Sequence, residues 1–247
     1  FGATPVVVTH AQSSEADWAV ARQRGTDAEG MEIALQPEEA AGLLVAGKAG
    51  WLAIEQGGGD WDGHAWRAES LDGVTERGAA GALDLAETPA FLASLSSFRG
   101  LDAAQARVGD LDASGFSVRA QEDRSRDAEV FHMAESVGFL ALTGEGILSA
   151  KRVEMPAVVA EFGTALVNQN EATIRLSHDF ANPVAFALAP SERGGDPVVA
   201  RLSEVEADEF SLRLQESSDR DGLHAWETVS WIVMEEGTWT LSDGTLL

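Results

Sequence analysis

Two tetrapeptides carry the side chains best suited to chemistry: His132-Met133-Ala134-Glu135 and His224-Ala225-Trp226-Glu227. Each follows a Gln-Glu pair, Gln121-Glu122 and Gln215-Glu216. If these segments lie side by side as strands, an imidazole, an amide and two carboxylates converge on one edge. Such a set offers planar acceptors and donors to the vicinal hydroxyls of a sugar, or oxygens to a cation. The plainer alternative is a structural polar network that holds the start of a strand against its loop. It carries more weight, because the first third of the chain has Leu44 and Gly47 where the other two have His and Glu.

A second candidate is aromatic. The turn-rich stretch Asp60-Trp61-Asp62-Gly63-His64-Ala65-Trp66 would expose Trp61, His64 and Trp66, and Trp226 joins them, as faces on which pyranose rings stack. Asp60 to Gly63 and Asp219-Arg220-Asp221-Gly222 faintly resemble calcium loops, but they lack the spaced carboxylates and closing glutamate of an EF-hand. They are compatible with a weak Ca²⁺ site; no metal is assigned and no other cofactor is expected. Gly-x-Ser-x-Gly, His-Glu-x-x-His, a P-loop and a dinucleotide fingerprint are all missing, so the chain reads as non-enzymatic. Arg22, Arg107 and Arg201 recur at one position. They are expected to pair at the surface with acidic neighbours such as Glu204, at ~0–1 kcal/mol each; contact with a ligand or the next repeat is the alternative.

What must position these residues is a repeat. The segments starting at Ala21-Arg22, Ala106-Arg107 and Ala200-Arg201 align without a gap as far as Gln36, Gln121 and Gln215. Upstream of each, a proline opens an apolar run, at Pro5, Pro89 and Pro183. Downstream, an aromatic opens another, at Trp51, Phe139 and Trp231. Inside each copy the apolar period is two: Met31/Ile33/Leu35, Phe116/Val118/Ala120 and Phe210/Leu212/Leu214, each set alternating with Ser, Arg, Glu or Gln. That is the pattern of half-buried strands, and Trp51, Phe139 and Trp231 are expected in the core. The fold expected is all-β: three tandem small antiparallel sandwiches of about six strands each, over 1–78, 79–171 and 172–247. The first copy lacks its leading strand, since the chain starts almost at Pro5, and 238–247 extend past the third core. Either the stretch is cut from a longer array, or the terminal segment returns to complete the first unit.

Composition narrows the function. With 17 Lys and Arg against 41 Asp and Glu, the formal net charge of −24 repels polyanions, so nucleic acid and anionic membranes are excluded as general partners. No run of eighteen apolar residues is present, and zero cysteines remove disulfides and thiolate zinc sites.

The third copy reaches a known pattern. Pro183-Val184-Ala185-Phe186, Ala200-Arg201-Leu202, Glu209-Phe210-Ser211-Leu212 and Ser230-Trp231-Ile232-Val233-Met234-Glu235 together resemble the H-type lectin domain of snail agglutinins and discoidins. The resemblance implies a six-stranded antiparallel sandwich that gathers in threes and binds sugars such as N-acetylgalactosamine at subunit boundaries. Three copies in one chain can imitate that trimer. The sugar-binding residues do not carry over. The arginine expected four positions before the Ala-Arg arginine is Trp18, Ala103 and Pro197 here. The Trp-His pair meets Ser217-Ser218, and no tyrosine exists. Two functions follow as expectations: an extracellular, secreted or cell-surface carbohydrate-binding and adhesion protein, or a structural repeat of an extracellular filament, appendage or virion fibre. Its partners would be glycans or neighbouring protein chains, in a larger array or a homo-oligomer.

Overall fold

The computed structural model describes residues 1–12, 18–41, 47–152 and 155–247; Leu44 lies outside them. The described residues form only strands, turns and loops. In the first unit β1 (Val6–Ala11) pairs with β4 (Ala49–Ile54), and β2 (Ala19–Arg24) with β3 (Glu32–Pro37). The second unit has β5 (Gly57–Trp61), β6 (His64–Val74), β7 (Ala79–Ala82), β8 (Pro89–Leu95), β9 (Ala104–Gly109), β10 (Gly115–Glu122) and β11 (Glu135–Thr143). They form antiparallel sheets β5-β6-β11-β8 and β7-β10-β9. In the third unit β12 (Gly146–Arg152), β13 (Met155–Val167), β14 (Ala172–Arg175), β15 (Pro183–Leu188), β16 (Val198–Ser203), β17 (Glu209–Glu216) and β18 (Glu227–Glu235) repeat the plan, as β12-β13-β18-β15 and β14-β17-β16.

In the second and third units the Pro-led and aromatic-led strands are apolar on both faces because both faces are buried; in the first, Trp51, expected in the core, is exposed. From β8 and β11, Phe91, Ala93, Val137 and Phe139 point into their own sandwich. Ala90, Leu92, Leu140 and Leu142 turn the other way. There they meet Val6, Val8, Leu52 and Ile54 of the first unit and Phe162, Phe186, Ile232 and Met234 of the third in one shared core. An ordinary antiparallel sheet wets one face and alternates; these strands cannot.

The three units close a ring. The residue two places past each proline meets the next unit beside its aromatic. The Val7 carbonyl lies 3.0 Å from where a Cβ on Gly138 would sit, and Phe91 N donates to Ser230 Oγ at 2.8 Å. The Ala185 carbonyl accepts from Gln12 Nε2, 2.7 Å away, over Gly50. So unit one contacts two, two contacts three, and three returns to one.

Sheet membership departs from the boundaries drawn at 79 and 172. The segment from Trp66 to Gly73, inside the 1–78 expected for the first unit, lies in β6. It pairs with β11 of the second, with Ala68 opposite Leu140. Likewise β13 belongs beside β18 in the third, with Phe162 opposite Ile232. The Asp62-Gly63 turn, with φ of 54° and 90°, folds β5 back onto β6 and carries the chain across the junction. The path between units is thus a paired hairpin whose Trp61 and Trp66 enter the shared core while its glycines and turn stay at the surface.

Candidate functional site

The His-Glu and Gln-Glu sets do come together, twice and in near-identical form, but not by strand pairing: β10 and β11, like β17 and β18, belong to different sheets, and the sets meet across the end of the sandwich. β11 starts at Glu135 and β10 ends at Glu122. His132 stands between them, its Nδ1 2.5 Å from Glu122 Oε1 and its Nε2 3.3 Å from Glu135 Oε1. In the third unit His224 Nδ1 is 2.7 Å from Glu216 Oε1, and its Nε2 is 3.1 Å from Glu227 Oε1.

Arginine from the preceding unit completes each cluster. Arg22 of β2 reaches Glu135 at 2.7 Å, and Arg107 of β9 reaches Glu227 at 2.9 Å, with both members of each pair fully buried. Gln36 and Gln121 fix the guanidinium groups through bonds of 3.1 and 2.7 Å from NH1. An exposed pairing to a local acid, as expected from the sequence, is thus replaced by a buried link to the next repeat. Arg201 in β16 is buried too. At that third junction Gly47 stands where the other units have glutamate. His10 Nε2 instead donates to Ala200 O at 3.2 Å.

The glutamates are held by more than arginine. Ser191 Oγ, Arg193 N and Gly194 N donate to Glu227 at 2.6, 2.9 and 2.7 Å. Ser97 Oγ, Arg99 N and Gly100 N donate to Glu135 in the same way. These donors come from Ser97-Phe98-Arg99-Gly100 and Ser191-Glu192-Arg193-Gly194, a Ser-x-Arg-Gly signal that the sequence reading passed over. Glycine is required there because a Cβ on Gly100 would stand 2.5 Å from the His132 ring, and one on Gly194 2.6 Å from His224.

The electrostatics follow from this shell. Burial opposes ionisation of Glu135 and Glu227, but bonds from histidine, serine and backbone N–H groups outweigh it and hold both carboxyls at about 2. Burial also opposes charge on His132 and His224, and their glutamate partners outweigh it, so both imidazoles stay protonated to higher pH than usual. Burial lowers Arg107 to about 10, partly offset by Glu227, which leaves it charged at neutral pH.

A water-filled sugar or cation site does not fit these clusters. Glu122, His132, Glu135, Glu216, His224, Glu227 and Gln121 are all buried, and Gln215 is half-buried in β17. Their buried polar atoms are engaged by protein, except Glu216 Oε2, which has no hydrogen-bond partner.

The aromatic platform also dissolves. Trp61 and Trp66 are buried in the shared core, where Trp61 Nε1 donates to Ser149 O at 2.8 Å. His64 bonds Thr143 O through Nδ1 at 2.8 Å and meets Phe162 edge-on. A run with Asp-Gly in it reads as surface from composition; here its turn alone is exposed and its aromatics enter the junction. Trp226 is exposed, at 52%. Beside it Leu223 is exposed, and Val130, Phe131 and Met133 are exposed at the matching place in the second unit.

The aspartates of the Asp-Gly turns accept bonds from backbone N–H groups, two of them local. Asp60 Oδ1 accepts from Gly63 N, Asp62 Oδ2 from Ser149 N, and Asp221 Oδ1 from Leu223 N. Among the described residues no group of three or more His, Asp or Glu side chains is placed to hold a metal ion.

No helix is long and apolar enough to cross a membrane. No family model matches the chain, and no solved structure does. A stretch of 84 residues is 37% identical to halomucin from Haloquadratum walsbyi, covering 30% of this chain but only 1% of that protein.

Proposed function

We propose that this chain is a non-enzymatic, extracellular building block: three H-type-lectin-like sandwiches locked into a rigid ring, acting as a structural repeat through contacts with neighbouring chains. The observation that carries this reading is the placement of both His-Glu clusters. The side chains best suited to bind a ligand are buried across unit junctions, where they hold the ring together. The positions at which the resemblance expects a sugar-binding arginine support it. Trp18 and Ala103 are buried and pack with Val20 and Val199 in a second apolar cluster shared by the units. The short likeness to a halomucin supports a place outside the cell. A net charge of −24 suits a saline milieu, where the Debye length falls to about 3 Å at 1 M and self-repulsion is screened.

Imaging native material, together with light scattering in molar salt, tests this. Ordered arrays or sheets with a repeat matching the ring support it; monodisperse single rings that bind a glycan overturn it.

One observation favours a second reading, glycan binding and adhesion. The exposed Leu223/Trp226 and Val130/Phe131/Met133 loops flank the two junctions, which is where the resemblance puts sugar sites. Weak sites on one rigid ring would gain avidity from their linkage. Glycan-array binding, with and without Ca²⁺, that is lost on Trp226→Ala would establish it; silence in both would remove it.

A further inference from the structure

Among the described residues the first unit shows fewer strand pairings than the other two. In the second unit β11 is flanked by β8 on one side and β6 on the other, and β10 by β9 and β7. In the third, β18 lies between β15 and β13, and β17 between β16 and β14. Among the described residues β4 pairs with β1 alone, and β3 with β2 alone. No hairpin with one strand in each sheet completes this unit among the described residues.

The core shows the deficit. Trp51 faces Thr9 as Phe139 faces Ala93 and Trp231 faces Ala187, so the three aromatics occupy one position. Phe139 is 2% exposed and Trp231 7%, but Trp51 is 56% exposed. Ile33 of β3 is half-buried where Val118 and Leu212 are fully buried. Between the two half-sheets lies a cleft of about 450 Å³ lined by Val7, Met31, Ile33, Trp51 and Ala53, with Phe1 at its mouth.

The chain already shows how such a slot is entered. Gly57 after β4, Gly146 after β11 and Gly237 after β18 share φ values of 149°, 154° and 155°, and each starts the crossing to the next unit. Asp243-Gly244 then repeats the Asp62-Gly63 turn, which aligns Leu246 with Ala65. Ala65 N bonds Thr143 Oγ1, at the end of β11. Leu246 correspondingly bonds Glu55, at the end of β4: Glu55 N donates to Leu246 O at 3.1 Å, and Leu246 N to Glu55 Oε2 at 3.0 Å. Residues 245–247 thus occupy the first places of such a strand, in the register of β6 on β11.

We propose that the first unit is a strand-acceptor slot, and that its occupant is a β-hairpin patterned like β6–β7, running on along β4 from the path of Thr245–Leu247. By that register the residue matching Ala68 lies opposite Leu52, and the one matching Glu69 opposite Trp51. Backbone bonds along the open edge of β4 give the affinity, and the alternate apolar side chains fill the cleft. Filling the slot closes an exposed edge that otherwise invites uncontrolled pairing.

The test extends the full chain at Leu247 with a second copy of Arg67–Ala82, with a scrambled copy as control. Amide exchange across Ala49–Ile54 should slow by roughly tenfold or more in the extended chain alone, and Trp51 should become protected from acrylamide. Trp51→Lys should leave the unextended chain as stable as before and weaken that protection in the extended one. Unchanged exchange in β4, while the second and third units keep theirs, overturns the proposal. So does a dimer of the unextended chain in which β4 is protected, since the occupant is then a second copy.

Discussion

Breaking the Arg107–Glu227 pair should cost the protein a large part of its stability, because the pair lies fully buried between two units. Glu227 accepts from Arg107, His224, Ser191 and the N–H groups of Arg193 and Gly194. Glu227→Gln removes the charge and leaves buried Arg107 without its carboxylate and His224 with Glu216 alone, for which the expected loss is about 3–5 kcal/mol. The carboxyl's own titration gives a similar figure. A shift from 4.5 to about 2 corresponds to about 3 kcal/mol. Since the folded value is the lower one, that contribution is present above pH 4.5 and disappears as pH falls towards 2. Arg107→Met should cost a comparable amount by itself, and the double variant far less than the sum, because the two replacements remove one interaction. Urea unfolding at neutral pH measures all three. Single losses under about 1 kcal/mol, or losses that simply add, would refute the buried cross-unit lock.

Other consequences follow from the same geometry. His132 and His224 are raised, so their contribution is complete below the ordinary histidine value of 6.5 and is lost as pH climbs through their folded values. His10 is lowered to about 4 by burial, with the Arg201 charge adding to it, so its contribution is present above 6.5 and lost as pH falls towards 4. Stability should therefore peak near pH 6.5, and His224→Gln should flatten the alkaline limb; denaturation at stepped pH shows both. Gly194→Ala should cost ~1–3 kcal/mol, since its methyl would stand 2.6 Å from the His224 ring, whereas Gly195→Ala, with nothing within 4 Å, should be nearly silent. Thermal unfolding compares the two. Raising salt from millimolar to molar should raise Tm, by screening the net charge of −24, without weakening the buried pairs.

The strands and their repetition were legible because a period of two survives in every copy. Phe210, Leu212 and Leu214 need no tertiary knowledge to be placed on one face. The convergence of His132 with Glu122 and Glu135 was legible in outcome but not in cause: the two segments do not pair as strands, and they meet because consecutive strands β10 and β11 face each other from opposite sheets. Its burial was not legible. That comes from Arg22, more than a hundred residues away, and from β8 and β15 being covered on both faces. The burial of Trp61 and Trp66 was not legible, because a hairpin tip rich in Asp and Gly has the composition of exposed surface, whereas this hairpin crosses between units and buries both rings. The Ser-x-Arg-Gly signal went unread because it looks like any polar turn until its backbone N–H groups are seen to grip a carboxylate. Of the two fates offered for the terminal segment, a return to the first unit agrees with the bond from Glu55 to Leu246.

The three units close into a ring, and the contact between the first and the third is where a covalent link can probe that closure. A Cβ on Gly50 would fall 3.1 Å from Val184 Cγ1, although the two positions belong to opposite ends of the repeat. The chain has no cysteine of its own, so Gly50→Cys with Val184→Cys makes a clean pair. On mild oxidation the doubly substituted protein should form an intramolecular disulfide in high yield, run faster on a non-reducing gel, and keep its β-sheet circular dichroism. Persistent free thiols, or disulfides only between molecules, would show that the three units do not close on one another.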